Sequence, residues 1–184
     1  MLRNLERLSL MVVVAGMLTF VSPAWSQRSD AEAAKSQDRI VREVHHELVM
    51  LPYYGVFDNL AYKVNGYTVT LMGQVTRPTL KSDAEAAVKH IEGVERVDNQ
   101  IEVLPVSPTD DRIRMAEYRA IYGNDQLQRY ALQAIPPVHI IVKNGHVTLV
   151  GVVANQMDKQ VAEIRAKSVP GVFSVTDQLE VEKS

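Results

Sequence analysis

Residues 65–75 read NGYTVTLMGQV, and residues 144–153 read NGHVTLVGVV. The second string is the first written again. A shift of 78 places Val69-Thr70-Leu71-Met72-Gly73 on Val147-Thr148-Leu149-Val150-Gly151. The same shift carries Val75 to Val153, Ala84 to Ala162, Gly93-Val94 to Gly171-Val172, and Gln100-Ile101-Glu102-Val103 to Gln178-Leu179-Glu180-Val181. One offset held from Val69 to Val103 is the mark of an internal repeat. Upstream, Asn65-Gly66 meets Asn144-Gly145 with a one-residue slip. Asp38-Arg39-Ile40 meets Asp111-Arg112-Ile113 at an offset of 73, so the second copy is longer between its first helix and first strand.

Each copy reads helix, strand, strand, helix, strand. In copy one, Ile40, Val44, Leu48 and Leu51 recur at helical spacing from the cap-like Asp38 until Pro52 and Gly55 stop them. Leu60, Tyr62 and Val64 alternate, Asn-Gly signals a tight hairpin, and Val69, Leu71 and Gly73 return. Pro78 suits a first helical turn, with Leu80, Ala84, Ala87, Val88 and Ile91 on one face and Gly93 as the stop. Val97, Asn99, Ile101 and Val103 alternate in the last strand. Copy two repeats the plan with Val138–Val142, Val147–Val153, a helix presenting Ala162, Ala166 and Val169, and a strand through Val175, Asp177, Leu179 and Val181. The expected fold is α+β: two tandem αββαβ units, each a small three-stranded sheet with two helices on one face. The first unit spans 38–104 and the second 110–182, joined by a proline-rich linker at 105–109. Units this small bury little surface alone, so the halves are expected to pack on each other.

Residues 1–26 read as a secretory signal peptide. Arg3 and Arg7 precede an apolar run from Leu8 to Val21, Ser22-Pro23 breaks it, and Ala24-Trp25-Ser26 offers a small-residue cleavage site. Fourteen helical residues rise about 21 Å, short of the roughly 30 Å hydrocarbon core. Residues 27–37 (QRSDAEAAKSQ) are polar without an apolar stripe and read as a flexible leader. The mature chain is expected in a bacterial periplasm. The chain has no cysteine, so it is no lipoprotein and has no disulfide or thiolate chemistry.

The chain has 184 residues, with 20 Lys+Arg against 22 Asp+Glu, a net charge of −2 that becomes −3 after cleavage. No basic excess draws it to nucleic acid. His45, His46, His90, His139 and His146 lack metal-ligand spacing, since adjacent residues diverge by about 100° on a helix. No phosphate loop or nucleophile elbow occurs. The glycines mark turns, strand kinks and helix ends. The reading is a chain with no cofactor, no metal and no catalytic residues.

Asp38 to Val44 reads as an Asp-x-Ile-x-x-x-Val helix start. Asn-Gly followed by Val-Thr-Leu-x-Gly-x-Val, an Ala-rich second helix, and Gly-Val-x-x-Val-x-x-x-Ile/Leu-x-Val recur in both copies. In that order and duplicated, these pieces resemble the BON domain, a small bacterial envelope module. The resemblance covers nearly all of the mature chain. It implies an exported, non-catalytic module that associates with phospholipid or envelope surfaces, similar to the osmotically inducible periplasmic proteins, with a role in envelope maintenance or osmotic stress. Copy two departs from the pattern at its first helix, where Glu117 holds the position of the valine.

That helix is also where a surface is expected to act. Ile113, Ala116 and Ala120 cluster on one side. Met115, Tyr118 and Tyr122 cluster on the other, flanked by Arg114 and Arg119. Tyrosine with arginine suits a bilayer interface, so Arg114, Met115, Tyr118, Arg119 and Tyr122 are the candidate contacts for anionic phospholipid or an envelope protein. The competing expectation is that Met115, Tyr118 and Tyr122 pack on residues 124–137 or on copy one. A protein adaptor or holdase acting through exposed sheet edges is the alternative function. The oligomeric state is open.

Overall fold

The computed structural model describes residues 24–133 and 135–183. Unit one runs α1 (Ala24–Val49), β1 (Asn59–Asn65), β2 (Thr68–Val75), α2 (Pro78–Lys89), β3 (Arg96–Asn99) and β4 (Glu102–Val103). Unit two runs α3 (Pro108–Tyr122), a short 3-10 turn (Gln128–Leu132), β5 (Val138–Lys143), β6 (His146–Val153), α4 (Gln156–Lys167) and β7 (Ser174–Val181). In each unit the first two strands pair antiparallel. The last strand returns through a helix to lie parallel to the second. The expected α+β pair of units is thus present.

The repeat extends to the register. Val69 pairs with Val97 and Val75 with Val103; 78 residues on, Val147 pairs with Val175 and Val153 with Val181. Alternation sends Val69, Leu71 and Val75, like Val147, Leu149 and Val153, onto the helix-covered face, where all six are buried. Unit one's core adds Ile40, Val44 and Leu48 of α1 and Leu80, Ala84 and Val88 of α2. Unit two's adds Ile113 and Ile121 of α3, Ile140 and Val142 of β5, and Ala162 and Ala166 of α4.

The hairpins are where the one-residue slip resolves. Asn65 is the last strand residue of β1 and pairs with Thr68, so the loop is Gly66-Tyr67, with Gly66 at φ +59°. In unit two Lys143 pairs with His146 and the loop is Asn144-Gly145, both at positive φ, as a type I′ turn requires. Identical dipeptides therefore occupy different turn positions. The final strand of unit one is interrupted at Gln100 and Ile101. There the Asn99 side chain accepts the Ile101 N–H at 3.2 Å, while its amide donates to the Lys81 carbonyl and Glu85 of α2.

Two expectations are corrected. Residues 27–37 continue α1 rather than forming a flexible leader. Alanine, glutamate, lysine and glutamine are good helix formers, and a helix already nucleated at Asp38 extends through them without a new nucleus. The signal peptide 1–26 lies almost wholly outside the described residues, which begin at Ala24. The linker is also shorter than expected: Pro108 already opens α3, and Ser107 caps it by accepting the Asp110 N–H at 3.2 Å. Among the described residues no helix is long and apolar enough to cross a membrane.

Candidate functional site

The first helix of unit two carries the candidate site, and its seating follows from copy one. At the offset of 73, Ile40, Val44 and Leu48 become Ile113, Glu117 and Ile121, and these three are buried. The core-facing side of α3 is therefore Asp110, Ile113, Arg114, Glu117, Ile121 and Tyr122, and Ala116 and Ala120 lie only at its margin. The small-residue stripe does not set the face, because the larger Ile121 and its neighbours fill the space above β5.

Asp110 fixes the start of the helix. It is buried and accepts the backbone N–H groups of Asn144 and Gly145, each at 2.9 Å, tying α3 to the β5–β6 turn. Arg114 is 5% exposed. It donates to Asp111 at 2.5 Å and to the Val142 carbonyl at 2.7 Å. Tyr122 is 4% exposed and donates to the Val138 carbonyl, and its burial raises the phenol pKa. These two residues bind the helix to β5. They are thus corrected as surface contacts: each already has a buried internal partner, and removing it would leave that partner unsatisfied.

Tyr118 is half-buried. Its ring meets Phe57 of unit one edge-on at 6.3 Å and Tyr122 at 5.0 Å. The units thus pack on each other through the loop between α1 and β1. Val56 accepts the Ile140 N–H at 2.8 Å, covering part of the outer edge of β5. Tyr54 stacks on His139 at 5.5 Å, and His139 Nδ1 lies 3.3 Å from the Gly55 carbonyl. Burial lowers the His139 pKa despite that carbonyl. Beside this contact the helix-free faces of the two sheets border a groove of about 370 Å³, lined by Gln74, Glu102, Lys143, His146 and Gln178 and bridged by Lys143–Glu102 at 2.5 Å.

Met115 and Arg119 remain outside. Met115 is 45% exposed, and the Arg119 side chain is exposed. Arg112, which the sequence reading passed over, joins them: it is exposed and touches only Thr109 at 3.3 Å among the described residues. Arg112, Met115 and Arg119 fall at i, i+3 and i+7, a single outward stripe. Arg119 and Arg165 of α4 also line a hollow of about 250 Å³ with Asn124 and Asp125. The residues after α3 are anchored as well. Asp158 is fully buried and accepts from Gln126 and Tyr130, with Arg129 paired to it. Burial alone would raise its pKa, but these hydrogen bonds together hold it below the ordinary carboxylate value. Among the described residues no three His, Asp or Glu side chains converge as a metal site.

The family profile described as BON domain matches residues 36–105 and 124–183, most of the chain. The chain belongs to the BON domain family. The second match starts just past α3, so the first helix of BON unit two is the part that the family pattern leaves out. The family is associated with membrane and phospholipid binding, which makes this BON protein an envelope-type binding module in kind. No curated protein matches it in sequence. A solved structure of CdsD, described as a structural protein of the type III secretion system of Chlamydia trachomatis, matches at 12% identity over 79% of this chain and 93% of its own, with a TM-score of 0.28. The C-terminal domain of CdsD matches at 11% identity over 78% and 98%, also at 0.28.

Proposed function

We propose that this is a periplasmic, non-catalytic BON protein that attaches peripherally to anionic phospholipid through Arg112, Met115 and Arg119, in envelope maintenance or the response to osmotic stress. The observation that carries this reading is the outward stripe of α3, in which two arginines flank an exposed methionine. Its acidic neighbour Asp111 is paired with Arg114, so the stripe keeps its positive charge. Methionine enters the headgroup boundary while guanidinium groups meet lipid phosphate. The chain as a whole is slightly acidic, at −2, so attraction is local and falls with salt.

Vesicle flotation tests it. Each basic residue near an anionic surface contributes about 1 kcal/mol, so Arg112→Glu/Arg119→Glu is expected to weaken binding to phosphatidylglycerol vesicles by about thirtyfold or more. Parent protein that floats equally well with neutral vesicles, or a double variant that floats like the parent, contradicts the reading. Capture of an envelope protein that survives high salt and needs no lipid supports the adaptor instead.

A further inference from the structure

Glu117 is fully buried in the core of unit two, and neither carboxyl oxygen has a hydrogen-bond partner among the described residues. Its counterpart at the 73-residue offset is Val44, equally buried in unit one between the buried Ile40 and Leu48 of the same helix face. The elements packed on α3 offer Glu117 no charge. From β5 the core-facing side chains are Val138, Ile140 and Val142, while His139 lies on the other face against Tyr54 and Lys143 is paired with Glu102. From α4 the core receives Ala162 and Ala166. Asp158 is held by Gln126, Arg129 and Tyr130, Lys159 by the Leu179 carbonyl, and Glu163 by Lys167, with Arg165 exposed. From the 3-10 turn, Arg129 and Tyr130 are engaged with Asp158. On α3 itself, Asp110 is bonded to the β5–β6 turn, Tyr122 to Val138, and Tyr118 sits against Phe57. Asp111 pairs with Arg114, while Arg112 and Arg119 are exposed. Arg114, three residues before Glu117, has a buried Nε with no partner.

We infer that Glu117 makes the seating of α3 conditional on a proton: neutral, it lets the helix lie on the core of unit two; ionised, it drives the helix off. A neutral carboxyl fills the valine position at modest penalty, whereas an unpaired carboxylate in hydrocarbon is far more costly. The ionised group reaches water only if α3 lifts, which breaks the contact between α3 and β5; its capture by the unpartnered Arg114 Nε instead would leave α3 seated, with no pH response in its amides. Burial pushes the Glu117 pKa up to about 8, so the change falls near neutral pH. The inference does not depend on the lipid reading.

Hydrogen exchange on the full-length protein between pH 5 and 8, corrected for the intrinsic pH dependence of amide exchange, tests it. The opened helix carries an ionised carboxyl and the seated one a protonated carboxyl. The opening constant of α3 amides is therefore expected to rise about tenfold per pH unit. Amides of α1, packed through Val44, are the internal reference and are expected to stay level. Glu117→Gln, and Glu117→Val should the amide fail to fold, are expected to flatten the α3 response. Equal pH responses of α3 and α1, an unchanged response in the variants, or an opening shared equally by β5, β6 and β7 would each overturn it.

Discussion

Alanine in place of Gly151 is expected to destabilise BON unit two by about 4 kcal/mol or more, and alanine in place of Gly73 to do the same to unit one. Both glycines lie inside the second strand of their unit, at φ +133° and +111°, a conformation that side chains with a Cβ rarely adopt. That strain alone is worth about 1–3 kcal/mol. The larger reason is contact. A Cβ on Gly151 would stand 1.8 Å from the Pro137 carbonyl oxygen, and one on Gly73 2.1 Å from the Asn59 carbonyl oxygen. The obstacle is backbone at the start of the antiparallel partner strand for Gly73 and of the residue just before it for Gly151; backbone cannot turn aside as a side chain can, and overpacking adds about 1–3 kcal/mol. A small domain has about 5–15 kcal/mol in total, so either variant approaches unfolding. Gly171→Ala separates the two causes: its φ is +90° but the space around it is open, so only the strain is expected. Urea unfolding followed by circular dichroism reads all three, and a Gly151→Ala loss no larger than that of Gly171→Ala would reject the close-approach account.

The second large effect is a gain. Glu117→Val is expected to stabilise unit two on the order of 4 kcal/mol at pH 8, and far less at pH 5. Burial raises the Glu117 pKa from 4.5 to about 8. An acid with a raised folded pKa takes up a proton on folding between those two values. Its unit is most stable below pH 4.5, loses about 1.4 kcal/mol per unit as pH rises, and levels off above about 8. Valine removes that loss and restores the hydrocarbon packing seen at Val44. His139 works in the opposite direction: its pKa is lowered, so its contribution fades as pH falls below its ordinary value. The difference between parent and Glu117→Val cancels the histidine and isolates the carboxyl. Equal stabilities at pH 8, measured by urea titration, would contradict the assignment.

The fold was legible because a repeat gives two readings of each element. Val69 and Val147 occupy the same buried place in the same register, and Pro78 opens α2 as its fixed φ favours, while Gly93 takes the positive φ of the turn that follows the helix. What failed to show was the rotation of α3. A glutamate in an amphipathic pattern reads as solvent-facing, so the tyrosine side and the small-residue side looked like the two choices. The offset of 73 had already aligned Glu117 with Val44. Taking that alignment over the charge would have turned the helix correctly and buried Arg114 and Tyr122. Asp110 and Asp158 were hidden for a different reason. Their partners, Gly145 and Tyr130, come from segments that reach them only through the tertiary fold, beyond any local pattern. The corrected helix leaves Met115 and Arg119 of the five expected contacts outside, and it adds Arg112, one turn before Met115.

The direct test of surface attachment is paramagnetic broadening of backbone amides by spin-labelled headgroups in anionic nanodiscs. The account predicts the strongest broadening at Arg112, Met115 and Arg119, weaker broadening toward Arg165, and none at the His139–Tyr54 contact. Broadening spread evenly over both units, or centred on unit one, would contradict it.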